Sequence, residues 1–409
     1  MAIVAAISST SSTVVCAGDF PTRSGRPRAG MRNAAADYVM ARCELFLCGD
    51  VMTGRGIDQI LPTPSKPQLY EPWLRDAREY VELAERASGR IARPVDFAYI
   101  WGDALAELGR VRPDARIVNL ETAVTTSEDA WPDKDINYRM HPANVECLTA
   151  LGIDVCVLAN NHVLDWGYGG LVETLDCLCG AGMRTVGAGR TALEAEAPAI
   201  VATGSGGRVV VFAVGHVSSG IPSSWAAKHD VPGIAVLHDL GPNEADTIVE
   251  RAALARQLGD VVVVSIHWGT NWGYEIPDEH VRFAHALVDG GIDVVHGHSS
   301  HHPRAIEVYR GKPIFYGCGD FMTDYEGIHG YEAFRPALSP MYFTTFEVTD
   351  RGSSFVALRI VPFRLRKMRL ERATRAESEP LVRACQRFDT KIALLEDGSL
   401  VTPARARRP

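Results

Sequence analysis

The chain has 409 residues, of which 46% are hydrophobic and 22% are charged. This balance is typical of a soluble globular protein with one large domain or two ordinary ones. The formal net charge of −8 argues against nonspecific binding to nucleic acid or to an anionic membrane. Because no stretch of 18 or more apolar residues is present, the sequence predicts no transmembrane helix.

Residues 1–40 are rich in Ser, Ala, Gly and Arg, and we expect them to form a disordered N-terminal lead-in. The first 20 residues are mildly apolar but contain no Lys or Arg, so they make a poor secretory signal. We therefore predict a cytoplasmic protein, with attachment to the membrane periphery through partners as an open alternative.

Between residues 43 and 320, short apolar runs alternate with segments of helical spacing. Each apolar run ends in polar residues and predicts a buried strand, and these runs cover residues 43–50, 115–121, 154–162, 208–216, 260–269, 292–298 and 312–320. Helices are expected at residues 71–87, 143–151, 169–181, 243–257 and 278–289. This alternation predicts an α/β fold whose strands are buried on both faces.

The pattern changes after residue 340. Residues 341–350 and 353–365 alternate between apolar and polar side chains on either side of a turn, which predicts an antiparallel hairpin. A helix near residues 376–388 and a short strand follow. We therefore expect a main domain at residues 41–365, with the hairpin at 341–365 completing a second sheet, and a C-terminal helix and tail at 366–409.

Polar side chains follow most of the predicted strands. In open α/β sheets, ligands bind beyond the carboxyl ends of the strands. Here those ends hold Asp50, Asn119, Glu121, Asn160, Asn161, His162, His267, His298 and His301. A mixture of oxygen and nitrogen donors suits zinc, manganese or iron. Structural alternatives stay open, namely a turn cap at Asp50, an ion pair between Glu121 and Arg139, and a core role for His267.

The segment VVHGHSSHHPRAIEVYRGKPIFYGCGDF (294–321) contains four histidines within seven residues. His298 is the strongest candidate metal ligand among them, and His301 is a candidate ligand or catalytic group. We expect His296 and His302 to orient the loop, since the residue before a proline is restricted to an extended conformation. Asp320, at the end of the segment, is expected to close on the same strand edge.

Several segments together resemble the CapA family, which is named for poly-gamma-glutamate capsule synthesis. They are LCGDVMTGRGIDQILP, VNLETAVT, LANNHVLDWGYGGLVETLDCL, SIHWGTNWGYE and the histidine-rich segment, and the resemblance runs from about residue 43 to 322. Soluble actinobacterial polyglutamine synthesis accessory proteins are especially similar. The resemblance implies a calcineurin-like metallophosphatase fold, an α/β/β/α sandwich with a C-terminal hairpin and helix.

The metallophosphatase resemblance implies a role for each polar residue. The implied metal ligands are Asp50, Glu121, Asn161, His267, His298 and His301, with His162 as the catalytic acid. Position 52 departs from the pattern, because it holds Met where the metallophosphatase motif has a ligand histidine. Thioether sulfur is a poor ligand for hard divalent ions. We therefore expect one site for Mn, Zn or Fe in preference to two.

Further residues have predicted supporting roles. Asp165 is expected to hold the tautomer of His162 as the second catalytic residue. Arg55 and Arg139 are candidates to bind a phosphate or carboxylate, with structural ion pairs as the alternative. Trp268 is expected to wall the cleft, with core packing as the alternative. The predicted substrate-binding residues are Arg55, Asn160, Arg139, Trp268 and Asp320.

The resemblance implies a protein that acts in polyglutamate or polyglutamine synthesis, as an accessory to an ATP-dependent ligase. The polymer and this ligase are the implied partners. The sequence has no Gly-x-x-x-x-Gly-Lys-Ser/Thr phosphate loop, so the protein should not activate glutamate itself. Two alternatives stay open, a standalone metal-dependent phosphoesterase or other hydrolase and a non-catalytic polymer-binding module. An enzyme of this type would be a metal-dependent hydrolase or transferase.

Overall fold

The structure of the protein is a computed structural model that describes residues 41–204, 206–334, 337–350, 352–386, 388 and 390–402. The predicted lead-in at residues 1–40 lies outside these residues. None of the helices within the described ranges has the length and apolar character that a bilayer-spanning helix needs.

Twenty-one strands lie in the described part of the chain. They are β1 (Ala41–Val51), β2 (Ala115–Leu120), β3 (Ala123–Val124), β4 (Arg139–Met140), β5 (Val155–Val157), β6 (Arg184–Val186), β7 (Ala188–Gly189), β8 (Ala199–Ala202), β9 (Arg208–His216), β10 (Gly233–Ile234), β11 (Val236–Leu237), β12 (Val261–His267), β13 (Val294–His298), β14 (Ile306–Tyr309), β15 (Lys312–Phe315), β16 (Asp320–Met322), β17 (Leu338–Thr349), β18 (Gly352–Arg366), β19 (Arg369–Arg372), β20 (Ala393–Leu394) and β21 (Leu400–Val401).

The same residues contain nine α-helices. They are α1 (Arg55–Ile60), α2 (Arg78–Ser88), α3 (Asp103–Val111), α4 (Glu146–Leu151), α5 (Gly167–Gly180), α6 (Ala192–Glu196), α7 (Pro242–Ala255), α8 (Asp278–Asp289) and α9 (Arg375–Cys385). Helix α8 has the predicted bounds. The helix predicted at 71–87 is wrong in its first part, because a bridge between Gln68 and Asp76 holds this stretch in a turn and α2 begins only at Arg78.

The strands form two large sheets. The first has the order β20-β21-β18-β17-β1-β2-β5-β6, with β16 beside β1 and β19 beside β18. The second has the order β11-β9-β12-β13-β15-β14, with β8 beside β9. Strands β1, β2, β5 and β6 run parallel, as do β9, β12, β13 and β15. The predicted C-terminal hairpin is formed by β17 and β18, but its expected place was wrong, because β17 pairs with β1 and the hairpin extends the first sheet rather than completing the second.

Side chains on β1 alternate between two apolar clusters, as a strand with two covered faces requires. Leu45 and Leu47 pack with Val211 and Val263 of the second sheet, so one cluster lies between the two sheets. Phe46 packs in a second cluster with helices α1 to α5. A third cluster joins the outer face of the second sheet to α7 and α8. The fold is thus an α/β/β/α sandwich, and the predicted fold class is confirmed.

Candidate metal centre

Asp50 lies at the point where three strands of the first sheet meet. At its end, β1 pairs in parallel with β2 on one side and with β16 on the other, and the register sets Asp50 opposite both Asn119 and Asp320. The amide Nδ2 of Asn119 donates to Oδ1 of Asp50 over 2.7 Å. A Cβ atom on Gly49 would lie 1.7 Å from the carbonyl oxygen of Gly319, so the approach of these backbones requires glycine.

Two histidines lie side by side on the second sheet. Strands β12 and β13 are parallel, and their register sets His267 opposite His298. The two Nδ1 atoms are 2.9 Å apart. Nδ1 of His298 is also 3.8 Å from Oδ1 of Asp50, while its Nε2 is 2.8 Å from the hydroxyl of Ser265. Two ring nitrogens and a carboxylate therefore converge where the sheets face each other.

Two groups of three buried side chains could hold a metal ion, and they share Asp50. One consists of Asp50, His267 and His298, and the other of Asp50, His301 and Asp320, with the ligand atoms of each group within 4.8 Å of one another. The Oδ2 atoms of Asp50 and Asp320 are buried and have no hydrogen-bond partner. A buried oxygen without a partner is costly, and a divalent cation would satisfy both oxygens. The side chains therefore fit a metal ion.

The electrostatics of this region favour a cation. Burial raises the pKa of Asp50 to about 7, and the nearby carboxylate of Asp320 adds to the effect. Burial and the carboxylate of Asp50 also raise the pKa of Glu121. Burial lowers the pKa values of His267 and His298, so both imidazoles are neutral at pH 7 and can act as ligands.

His301 reaches the centre from the loop after β13. Ser299 has a φ of 99°, a conformation that a residue with a Cβ seldom adopts, and the N–H of His301 donates to the carbonyl of Asn271 over 3.0 Å. Nδ1 of His301 is 2.9 Å from Oδ1 of Asp320. Burial opposes a charge on His301, but the carboxylates of Asp320 and Asp50 outweigh it and raise its pKa. Asp320, predicted to bind substrate, is instead buried beside His301.

The other two histidines of the segment hold the surrounding structure together. Nε2 of His296 is 2.8 Å from the carbonyl oxygen of Cys48, and its Nδ1 is 3.0 Å from the hydroxyl of Ser265. Because Cys48 lies on the first sheet and Ser265 on the second, His296 links the two sheets. His302 is buried, and its ring stacks on Trp272 with centroids 6.0 Å apart. Neither histidine belongs to the two groups described above.

His162 and Asp165 form a hydrogen-bonded pair next to Glu121. Nδ1 of His162 is 2.7 Å from Oδ2 of Asp165, and its Nε2 is 3.7 Å from Oε1 of Glu121. Since an ionised carboxylate only accepts, the contact with Asp165 favours the tautomer with the proton on Nδ1 and the lone pair on Nε2. Burial lowers the pKa of His162 to about 4, so the imidazole is neutral at pH 7 and suited to accept a proton rather than donate one.

Lys134 also contacts this pair, and sequence reasoning missed it. Its Nζ bonds to the carboxylate of Asp165 and donates to the carbonyl of Asn161 over 2.6 Å. It is also 3.0 Å from Nδ1 of His162. Lys134 lies in a stretch without apolar periodicity between β3 and β4, where only its positive charge among acidic neighbours could have drawn attention to it.

Two predicted ligands lie beside the groups rather than within them. Oδ1 of Asn161 is 3.0 Å from Nε2 of His267, the ring nitrogen that points away from His298. Glu121 accepts a hydrogen bond from Asn119 over 3.2 Å and lies against His162. Within the predicted quartet of Glu121, Asn161, His267 and His298, Asn161 and His298 contact opposite ring nitrogens of His267.

Trp268 does not wall a cleft, and its predicted role is wrong. Its side chain is fully buried in the cluster under α7 and α8. The indole stacks on His280 with centroids 4.5 Å apart and donates from Nε1 to the carbonyl of Tyr316 over 3.2 Å. The structural alternative, core packing, is the one observed.

Asn160 and Arg139, both predicted to bind substrate, make several hydrogen bonds within the protein. Asn160 is fully buried, and its amide donates to Oδ1 of Asn119 over 3.0 Å and to a backbone carbonyl. Arg139 is 7% exposed, stacks on Trp166 at 3.8 Å and donates to the carbonyl of Ser127 over 2.6 Å. The hydrogen-bonding groups of both side chains are thus engaged within the protein.

Arg55 is held in a buried ion-pair cluster. Its guanidinium donates to Glu71 over 2.7 Å and to Tyr80 over 3.0 Å, and it pairs with Asp324 through two further contacts. Although Arg55 reaches the wall of a pocket, two carboxylates balance its charge. The structural ion pair, which was the alternative to anion binding, is therefore present.

A pocket of about 370 Å³ opens above His301. Trp73 and Tyr331 form an exposed part of the lining, at 59% and 41% exposure. The aromatic walls are contributed by Trp73, Tyr80, Trp272, Tyr325 and Tyr331. Exposed aromatic rings beside a candidate metal site are a suitable surface for stacking a planar or apolar ligand.

Comparison with known proteins places the chain in a family. Residues 44–325 match the family described as bacterial capsule synthesis protein PGA_cap. The chain belongs to this capsule synthesis family. The match contains every member of the two groups that could hold a metal ion and ends before the hairpin of β17 and β18. The resemblance to CapA is thereby confirmed.

Individual members of the capsule synthesis family extend the comparison. A Mycobacterium tuberculosis (strain H37Rv) protein, named a probable polyglutamine synthesis accessory protein, is 49% identical over 88% of this chain and 96% of its own length. The PGA biosynthesis protein CapA of Bacillus subtilis is 27% identical over 68% of this chain and 62% of its own length. The capsule biosynthesis protein CapA of Bacillus anthracis is 25% identical over 68% of this chain and 59% of its own length.

Proposed function

We propose that this protein acts in the synthesis of a polyglutamate or polyglutamine polymer, as an accessory to the ATP-dependent ligase that makes the chain. The names of the mycobacterial and Bacillus relatives support this role. We further propose a cytoplasmic location, with peripheral contact with the membrane through partners. Co-purification of the ligase with the tagged protein from the native cell tests the partnership, and a ligase absent from the eluate would contradict it.

The proposal includes one divalent ion, Mn, Zn or Fe, with Asp50, His267 and His298 as ligands. This set combines a carboxylate with two neutral imidazoles, which suits these metals better than calcium or magnesium. Glu121 and Asn161 flank the set and are candidates to complete it after small side-chain rotations. A bound ion would polarise a carbonyl or phosphoryl oxygen and lower the pKa of bound water.

The observation that carries the proposal is a pocket whose described lining residues include one arginine, already paired with carboxylates, beside an acidic centre that favours a cation. Arg55, the arginine in the pocket wall, is already paired with Glu71 and Asp324. A polymer with carboxylate side groups therefore needs a bound cation to offset its charge. A polymer with neutral amide groups needs only the aromatic walls.

Isothermal titration calorimetry with poly-γ-glutamate and polyglutamine oligomers tests this difference. With Mn²⁺ bound, we expect the carboxylate polymer to bind, and after chelation we expect its affinity to fall by at least tenfold. Binding of the amide polymer should change much less. Equal affinity for the carboxylate polymer with and without metal, or no binding of either polymer, would contradict the proposal.

A second candidate function is metal-dependent hydrolysis of a phosphoester or amide. The observation that favours it is the pair of His162 and Asp165, which leaves a lone pair on Nε2 of His162 next to Glu121. Hydrolysis of an aryl phosphate with added Mn²⁺, abolished in His162→Gln and in His298→Gln, would support an enzyme. Metal-free protein that is folded, inactive and still binds polyglutamate would instead identify a non-catalytic binding module.

A further inference from the structure

The centre contains a second group of potential ligands beyond the one used in the proposed function. Asp50, His301 and Asp320 are all buried, and their ligand atoms lie within 4.8 Å of one another. The group forms because β16 aligns Asp320 with Asp50 and because the loop after β13 returns His301 to Asp320 over 2.9 Å. Its members come from three separate parts of the chain.

Two unpartnered oxygens are the independent sign that this group is built for a ligand. Oδ2 of Asp50 and Oδ2 of Asp320 are both buried without a hydrogen-bond partner, in side chains that are 0% and 1% exposed. Folded proteins satisfy buried carboxylate oxygens with a donor or a cation. A cation between the two oxygens would satisfy both of them at once.

Met52 does not supply a ligand to this group. Its side chain is fully buried, and its sulfur is 3.8 Å from the hydroxyl of Tyr325. A thioether is a poor ligand for a hard divalent ion, whereas the carboxylate of Asp320 is a good one. The carboxylate also lies on the strand next to Asp50, so it replaces the missing donor without a change in the fold.

We propose that Asp50, His301 and Asp320 form a second divalent-cation site, in which Asp320 takes the ligand role that Met52 cannot fill. His301 lines the aromatic pocket, so this second ion faces the pocket, whereas His267 and His298 hold theirs deeper. The inference rests on the proposed function in one respect, that the centre binds metal at all. In this arrangement, the pocket-facing cation binds a carboxylate of the polymer.

Metal counting tests the second site directly. The purified full-length protein is dialysed against Mn²⁺, and bound metal is measured by elemental analysis. Electron paramagnetic resonance reports magnetic coupling between ions that share Asp50. We expect two ions per wild-type chain with a coupled signal. We expect one uncoupled ion in Asp320→Asn and in His301→Gln, and one in His267→Gln, which keeps the second site.

His302→Gln is the matched control. His302 is the neighbour of His301 in sequence and is also buried, but it belongs to neither group. This variant should keep both ions and the coupled signal. Circular dichroism establishes that each variant is folded, and Asp320→Asn keeps the shape of the side chain if His301→Gln does not fold.

The possible results separate this inference from the proposed function. One ion in the wild type, lost in His267→Gln and kept in Asp320→Asn, overturns the second site and leaves the first intact. Two ions that persist in both Asp320→Asn and His301→Gln also overturn it. No ion in the wild type overturns the metal centre in both proposals.

Discussion

Two buried charged clusters lie close together in this protein, and they differ in how their charges are balanced. The paired cluster consists of Arg55, Glu71 and Asp324, where the guanidinium contacts both carboxylates. In the carboxylate cluster of Asp50, Glu121 and Asp320, burial and mutual repulsion raise the pKa values of Asp50 and Glu121. The paired cluster also satisfies backbone donors, since Asp324 accepts from Gly56 over 2.9 Å.

This difference in charge balance indicates that the two clusters have different roles. Buried charges that are fully paired contribute to a single folded arrangement, and the loss of one partner is costly. Buried carboxylates that repel one another and leave oxygens without partners destabilise the fold unless something binds them. We therefore interpret the paired cluster as a structural support of the pocket wall and the carboxylate cluster as a ligand site.

The largest expected effect comes from breaking the paired cluster. Asp324→Ala leaves the buried guanidinium of Arg55 with one carboxylate and removes the acceptor for Gly56. We expect the free energy of unfolding in urea to fall by about 3–5 kcal/mol. Asp320→Ala is the matched change in the other cluster, and in metal-free protein we expect a smaller loss, because the substitution also relieves the repulsion between Asp320 and Asp50. Equal losses in the two variants would remove the distinction between the clusters.

Metal should stabilise the protein by binding to the carboxylate cluster and its neighbouring histidines, and not through the paired cluster. At a free Mn²⁺ concentration 100 times the dissociation constant, we expect the free energy of unfolding to rise by about 2.7 kcal/mol for each ion bound. Asp50→Asn should abolish this gain, because Asp50 belongs to both metal-binding groups. Thermal unfolding with metal and with chelator measures the effect. An undiminished gain in Asp50→Asn would show that the ion binds elsewhere.

In the metal-free protein, a change of pH is expected to have a smaller effect on the free energy of unfolding. The pKa of Asp50 rises from the ordinary value of 3.8 to about 7 on folding, so between these values the folded state binds more protons than the unfolded state. The resulting stability is full below about pH 4 and is lost as the pH rises through about 7.

The check is the pH dependence of urea unfolding between pH 5 and 8. The wild type without metal should lose stability across this interval, and Asp50→Asn should lose less. Saturating Mn²⁺ should reverse the trend, because the ion competes with protons for the same carboxylate. Wild-type and Asp50→Asn curves of the same slope would assign the titration to other groups.

The fold and the outline of the centre could be predicted because both depend on local patterns. Asp50, His267 and His298 each follow or end an apolar run, and parallel strands bring such ends to one edge. The pairing of Asp320 with Asp50 depends on the register of strands far apart in sequence, which no local pattern specifies. The role of Trp268 was predicted wrongly, because an apolar run followed by an aromatic residue occurs both at core positions and in the walls of clefts.

The smallest expected effect concerns the pocket, whose wall contains Arg55 from the paired cluster and, in His301, a neighbour of the carboxylate cluster. The ring of Trp272 packs on Tyr331 with centroids 4.1 Å apart and faces the pocket. Trp272→Ala should weaken polymer binding by about 0.5–1.5 kcal/mol, roughly two- to tenfold, and leave the metal content unchanged.

Tyr168→Ala is the control for the loss of an exposed ring, since Tyr168 packs on Trp131 and does not line the pocket. Its affinity for the polymer should match that of the wild type. If Trp272→Ala binds polymer as well as the control does, the polymer does not occupy the aromatic pocket. Any effect of the bound metal on polymer affinity would then act through the charge of the carboxylate cluster at longer range, and a steep loss of affinity with added salt would reveal it.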